Sequence, residues 1–205
     1  MGMKGPEDSG GIVLRPIGVI HTPYQAGRFA PEQPLERTEG EARIELLPEY
    51  EQALADLAKF SHLYVLYYLH LGAGEWGPVV APPWAQGKRV GLFASRSPAR
   101  PNRLGLSIVR LREVQGATLV TDPLDVYDGT PLLDVKPYFK GLDCRPEANN
   151  GWVDELHEPD HLLEHLRGLP HDHPHHPHGH HHNHRPRHHH HDGEGHDPDG
   201  GSSSG

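Results

Sequence analysis

Short runs of alternating apolar and polar residues, separated by turn-formers, dominate the chain up to about residue 139. The clearest is Ser107 to Val114, which sets Ile108, Arg110 and Arg112 against Val109, Leu111 and Glu113. A period of two is that of a strand with one buried face. A Gln115-Gly116 turn leads into Ala117 to Thr121, so the two runs predict a β-hairpin. Leu124 to Tyr127 and Leu132 to Tyr138 flank Asp128-Gly129 and predict a second one. Further strands are expected over Ile12–Ile20, Ala42–Leu47, Phe60–Leu71 and Val90–Ala94, the first interrupted by Pro16 and Gly18. A helix is expected over Pro48–Leu57, with proline at its first position, Glu49 and Glu51 in its first turn, and Tyr50, Leu54 and Leu57 on one face. A second helix is expected over Val153–Arg167, started or broken near Pro159.

Six or seven short strands with one or two short helices point to a mainly β protein, a barrel or curved sheet. No G-x-G-x-x-G follows a strand, so the doubly wound nucleotide-binding signature is absent. Two long stretches without periodicity, Thr22–Gly40 and Gly72–Gly87, break the pattern, and irregular stretches of this length in a small domain are often functional. The expected organisation is a leader over residues 1–11, a β-barrel domain with a C-terminal helix over 12–168, and a tail over 169–205.

Composition changes this picture at three points. The one cysteine, Cys144, rules out an intrachain disulfide framework and favours a reducing compartment. Residues 1–11 lack the apolar core of a signal peptide, and Leu63–Leu71 is too short to span a bilayer. A soluble, cytoplasmic protein with no membrane partner is therefore expected. The net charge of −9 disfavours a polyanionic partner only if it is evenly spread, and it is not. Lys88 to Arg112 holds seven basic residues and no acidic one. That stretch reads equally well as a polyanion contact or as a solvated face paired with carboxylates elsewhere.

Two segments carry the candidate chemistry. Phe93-Ala94-Ser95-Arg96-Ser97-Pro98-Ala99-Arg100-Pro101-Asn102-Arg103-Leu104-Gly105 sets three guanidinium groups in a loop stiffened by two prolines. Such forks suit carboxylates and phosphates. Asp125-Val126-Tyr127-Asp128-Gly129-Thr130-Pro131-Leu132-Leu133-Asp134-Val135-Lys136-Pro137-Tyr138 places three carboxylates where core strand is expected. They need partners there, and Arg96, Arg100 or hydroxyl and ammonium groups of a ligand are candidates.

Together these segments resemble the signature of the TrmO (TsaA-like) family, F-A-T-R-S-P-x-R-P-N-P-I-G followed by D-x-x-D-G-T-P-x-x-D-I-K-P-Y. Pro16 to Tyr24, Gln33-Pro34, Phe60-Ser61-His62-Leu63 and Asn150-Gly151-Trp152 match further family elements in the same order. The resemblance covers roughly residues 12–152. It implies a non-Rossmann β-barrel that binds S-adenosylmethionine near a dimer interface and methylates N6 of threonylcarbamoyladenosine beside the tRNA anticodon. Carried over by motif, the cofactor would touch Gln33, Pro34, Leu35, His70, Leu71, Arg96, Leu106, Asp125, Val126, Tyr127 and Asp128. Arg89, Arg100, Arg103 and Lys136 would contact tRNA. Asp128 and Tyr138, with His70, are candidates by residue type for handling the N6 proton. His62 is expected to be a core histidine, with Tyr64, Tyr67 and Tyr68 as packing groups and base stacking as the other reading. The chain departs from the pattern at Arg103, where the family usually has proline.

Beyond Gly168 the composition changes completely. His171 to His196 contains fourteen histidines among Pro, Gly, Asn and Asp, with nothing apolar to bury, and predicts disorder. His180, His181, His182, His188, His189, His190 and His191 could hold nickel or zinc. The alternative to the methyltransferase is thus an S-adenosylmethionine-binding module with a metal-binding tail and a different methyl acceptor or none.

Overall fold

The computed structural model describes residues 11–26, 40–71 and 74–166, all within the unit Met1–His171. Among the described residues there are eight strands: β1 Gly18–His21, β2 Ala42–Leu46, β3 His62–Tyr68, β4 Val79–Val80, β5 Val90–Gly91, β6 Leu104–Gln115, β7 Thr118–Thr121 and β8 Thr130–Pro137. Six of them close an antiparallel barrel in the order β1-β2-β7-β6-β3-β8, and β4 pairs with β5 in a separate ribbon. The expected β-barrel is therefore what forms.

Closure depends on the length of β6. Its first part, Leu104–Arg110, pairs with β3, and its second part, Leu111–Gln115, pairs with β7. A register shift between Leu111 and Glu113 marks the change of partner; such a bulge bends a strand and sharpens its twist. Inward-facing residues alternate along each strand, as a small filled barrel requires. Ile20, Ile44, Leu63, Val65, Val109, Leu119 and Leu132 form the core, with Leu124 and Val126 entering from the segment after β7. Each such side chain contributes about 1.5–3 kcal/mol on burial. At Gly18, β1 passes so close to β2 that a Cβ would lie 2.2 Å from the Glu45 carbonyl oxygen, so only glycine fits.

Several expected elements are corrected. The strand expected from Ile12 starts only at Gly18, because Pro16 offers no N–H to a ladder; Ile12, Val13 and Leu14 are exposed. The helix expected over Pro48–Leu57 is a 3₁₀ helix over Pro48–Leu54, followed by a 3₁₀ turn over Leu57–Lys59. Extended Ala55 and left-handed Asp56, at φ 66°, stop it from continuing. The apolar face was nonetheless read correctly: Leu54 is buried, and Tyr50 and Leu57 pack on the core. Leu124–Tyr127 forms no strand, so the second hairpin is absent. Its polar backbone groups are satisfied instead by the end of β1, where Thr22 Oγ1 donates to the Val126 carbonyl at 2.7 Å and the Asp128 amide to the Tyr24 carbonyl at 2.7 Å. Val90–Ala94 is a two-residue strand running into a 3₁₀ turn over Leu92–Ala94.

Past the barrel come a one-turn helix, α1 Lys140–Asp143, a 3₁₀ turn over Gly151–Glu155 and a helix, α2 Pro159–Leu166. The helix expected over Val153–Arg167, started or broken near Pro159, does start at Pro159; the part before it is the 3₁₀ turn, separated by extended Leu156 and left-handed Glu158. No described helix is long and apolar enough to cross a membrane.

Candidate functional site

The register fixes what meets at each end of the barrel. One mouth collects the end of β1, the segment after β7, the start of β8, the end of β3 and the start of β6. Asp125 lies there. The residue is half-buried, but its carboxyl faces inward and accepts a hydrogen bond from Ser107 Oγ at 2.9 Å. Ser107 is 5% exposed on the inner face of β6, and its oxygen lies 2.9 Å from the hydroxyl of Tyr67, 4% exposed on β3. Burial pushes the Asp125 carboxyl above its ordinary value, against the opposing pull of the Ser107 hydrogen bond, a backbone hydrogen bond and the Arg96 charge. The phenols of Tyr67 and Tyr24 are pushed up as well, by burial first and by the Asp125 charge second. Tyr24, Tyr67, Arg96, Ser107 and Asp125 thus form one electrostatic cluster.

The space for this cluster comes from a glycine. Gly105 pairs with Tyr67 across β6 and β3, and a Cβ there would lie 2.0 Å from the tyrosine ring. The ring lies over bare backbone, which lets its hydroxyl reach Ser107 two residues further along β6.

Asp128 sits beside this cluster at the turn before β8. Its Oδ1 lies 3.1 Å from His21 Nδ1 and accepts from the Thr22 amide at 3.2 Å. Burial works against its ionisation, but the His21 and Thr22 hydrogen bonds and the His21 charge outweigh it and hold the carboxyl below its ordinary value. Gly129, at φ 77°, closes the turn, and its amide donates to the Ile20 carbonyl at 3.0 Å. Two carboxyl groups three residues apart are therefore displaced in opposite directions, a pattern typical of functional sites.

The residues expected from sequence divide sharply. Asp125 and Asp128 face the mouth, Arg96 bears electrostatically on Asp125, and His70 follows β3 at the same end. Val126 is in the core, so its backbone alone is available there. Tyr127 is half-buried, with its carbonyl accepting from Thr130 Oγ1 at 2.6 Å. Leu106 is 61% exposed on the outer face of β6, on the opposite side of the wall from Ser107, and Leu71 is exposed past β3. Gln33, Pro34 and Leu35, like His180–His182 and His188–His191, lie outside the described residues. Among the described residues no three His, Cys, Asp or Glu side chains could hold a metal ion together.

Tyr138 does not join Asp128. The whole of β8, roughly 25 Å at 3.3 Å per residue, lies between them, and Tyr138 packs against Tyr64 on the outer face, ring centroids 5.6 Å apart. Within one copy of the chain the two do not meet. His62 is not a core residue but exposed, with its ring nitrogen 2.9 Å from Ser61 Oγ, because the β3 alternation turns it outward. Tyr64 and Tyr68 also face outward, so of the three tyrosines Tyr67 alone enters the core.

The basic stretch is partly neutralised. Lys88 pairs with Glu155, and Arg112 Nε lies 2.6 Å from Asp122. Arg100 is directed to its own loop, donating to the Ser95 carbonyl at 2.9 Å and lying over the Phe93 ring. Lys136 pairs with Asp134 at 2.7 Å. Arg89 and Arg110 are exposed, and Arg103 is half-exposed. Arg103 takes a left-handed φ of 48°, which proline cannot adopt.

Tyr67 and Ser107 were missed as site residues in the sequence. Ser107 did carry a signal, as a polar residue on the face shared with Val109 and Leu111. His21 and Trp152 stood in matched family elements, with no role read for either. Trp152 stacks on Trp84 at 5.4 Å and donates its indole N–H to the Ala94 carbonyl at 2.8 Å, two residues before Arg96. Gln86 exchanges two hydrogen bonds with the backbone of His157, at 3.0 and 3.2 Å.

Residues 19–144, more than half of the chain, match the family described as the tRNA-methyltransferase O N-terminal domain. The chain belongs to the TrmO family. A relative from Pyrococcus abyssi, named a probable S-adenosyl-L-methionine-binding protein, is 38% identical over 70% of this chain and 77% of its own length. The tRNA (adenine(37)-N6)-methyltransferase of Escherichia coli is 40% identical over 67% of this chain and 62% of that enzyme. A crystal structure of TrmO superposes with a TM-score of 0.58 at 33% identity, covering 69% of this chain and 64% of that one. This TrmO-family chain therefore spans about three-fifths of the bacterial enzyme.

Proposed function

We propose that the protein is an S-adenosylmethionine-dependent methyltransferase acting on adenine N6 in tRNA, with N6-threonylcarbamoyladenosine beside the anticodon as its acceptor. The observation that carries this reading is the set of polar groups gathered at one barrel mouth, Asp125 held by Ser107 and Asp128 by His21 and Thr22, inside the segment that matches the family. The names of the bacterial and archaeal relatives support both the cofactor and the reaction.

The residues at the mouth fit the cofactor. A desolvated carboxylate beside a guanidinium suits a ligand that brings hydroxyl groups and a cation. When bound, the cofactor supplies an electrophilic methyl group on a sulfonium. Asp125 orients the ligand, and the core behind it, closed by Leu124 and Val126, keeps water from the reacting atoms. In the transfer, the carbon–sulfur bond breaks as the carbon–N6 bond forms, and the N6 proton must leave. The His21–Asp128 pair can receive that proton, the carboxylate orienting the imidazole across 3.1 Å. Exposed Arg89 and Arg110 and half-exposed Arg103 would hold the tRNA backbone.

Leu106 and Leu71 face away from Asp125. They can serve the same cofactor only if a second copy of the chain presents them. The outer apolar strip of Leu66, Tyr68, Leu104, Leu106 and Ile108 on β3 and β6 suits such a homodimer. The protein is assigned to the cytoplasm on its single cysteine and its tRNA substrate.

The test is methyl transfer from labelled S-adenosylmethionine to tRNA with and without the threonylcarbamoyl group. Transfer to the modified tRNA alone supports the full reading. Cofactor binding without transfer to either tRNA sinks the tRNA methylase and leaves a cofactor-binding module.

A further inference from the structure

Three buried polar groups run from the barrel interior to the mouth: the Tyr67 hydroxyl, the Ser107 hydroxyl and the Asp125 carboxylate, joined by two contacts of 2.9 Å. The inner face of β6 is apolar at Val109 and Leu111 and becomes polar only here. A barrel of this size gains nothing in packing by burying a serine, so the hydroxyl needs another reason. The direction of donation is fixed. Ser107 gives its proton to the carboxylate, so its oxygen can only accept from Tyr67, and Tyr67 can only donate.

We propose that Tyr67 and Ser107 are positioning residues that act through Asp125: a one-way chain of donors that fixes the carboxylate's rotamer and sustains its ionised form at the ligand-facing mouth. The inference rests on the cofactor reading above, in which Asp125 receives the ligand. The chain is not a proton exit. Burial and the Asp125 charge hold the Tyr67 phenol far above neutrality, so it stays protonated and cannot act as a base. Gly105 belongs to the same device, since a side chain there would push the tyrosine ring away from Ser107.

The groups facing Asp125 are Tyr24 from the segment after β1, Tyr67 from β3, Arg96 from the loop after β5 and Ser107 from β6. The His21–Asp128 pair is the next titratable site on the same loop. Ser107 and Arg96 favour the ionised carboxyl and burial opposes it. Removing the serine hydroxyl therefore moves the carboxyl's midpoint further up.

The experiment has two readouts on the full chain. The first follows the Asp125 side-chain carboxyl by carbon-13 NMR against pH, without ligand. The second measures S-adenosylmethionine affinity across the same range. Ser107→Ala is expected to raise the midpoint and to weaken cofactor binding on the order of tenfold at neutral pH. Tyr67→Phe should move both in the same direction by less. Ser107→Thr, which keeps the hydroxyl, should restore them. Val109→Ala, a core truncation on the same strand face, controls for destabilisation and should leave the midpoint in place. Wild-type midpoints in both Ser107→Ala and Tyr67→Phe would overturn the inference. If the midpoints move but the wild-type chain binds no S-adenosylmethionine, the cofactor reading falls while the donor chain stands.

Discussion

Asp125 shows how a site residue can weaken the fold that holds it. Its carboxyl is raised by burial, so its contribution to stability is complete below the ordinary carboxyl value and is lost as pH rises through the folded value. Asp125→Asn keeps an acceptor for Ser107 and removes the buried charge. It should raise the melting temperature at pH 7, with the gain vanishing below about pH 3.9, while cofactor binding is lost. Thermal melts at both pH values check this. Asp128 has the opposite sign: its lowered carboxyl contributes stability above the ordinary value that is lost as pH falls through the folded one. Arg103 offers a second test at this scale. Restoring the family's usual residue by Arg103→Pro forces φ from 48° to about −65° and removes the amide that bonds Arg100. A loss of about 1–3 kcal/mol is expected, whereas Arg103→Gly should be neutral in urea unfolding.

Among the elements, the turn over Gly151–Glu155 acts on the loop that carries Arg96. The Trp152 bond to Ala94, the Trp84 stack and the Lys88–Glu155 pair fasten that loop from outside the barrel. Trp152→Ala should speed amide exchange over residues 92–96 and leave the amides of β3, β6 and β8 protected, as read by hydrogen–deuterium exchange. Sequence periodicity predicted the barrel strands well where one face is buried, as in Ser107–Val114, because alternation reports burial directly. It failed at Leu124–Tyr127, where the same apolar residues plug the barrel from a loop, and at Pro48–Leu54, where the face was right and the helix type wrong. Charge drew attention to Arg96, Asp125 and Asp128 in the sequence, and the fold brings Arg96 to bear on Asp125. The site was illegible where a residue's role comes from a partner distant in sequence, as with Tyr67 and Ser107, or His21 and Asp128. Tyr138 and Asp128, both named by residue type alone, lie apart for a related reason: they are ten residues apart in sequence, but an extended strand carries Tyr138 to the other end of the barrel.

For the molecule as a whole, the outer strip on β6 makes an assembly prediction. Leu106→Glu should give a monomer by sedimentation and should weaken cofactor binding without lowering the melting temperature of the barrel, since the side chain lies on the surface. An unchanged mass alongside an unchanged melting temperature would remove this strip as a dimer interface. A chain ending at Gly168 should keep methyl transfer and lose any nickel or zinc uptake by the histidine tail.

The placement of the tryptophans decides which signal follows which part of the protein. The chain has three. Trp76 is exposed and precedes β4, while Trp84 and Trp152 stack face to face, ring planes 14° apart. None lies on a barrel strand. Two indoles in that arrangement couple optically, so the coupled near-ultraviolet signal of this pair reports the fastening of the loop, while the β3 tyrosines contribute a separate, uncoupled signal. Heating should therefore extinguish the coupled signal before the far-ultraviolet strand signal disappears, and the interval between the two transitions measures how independently the Arg96 loop can let go.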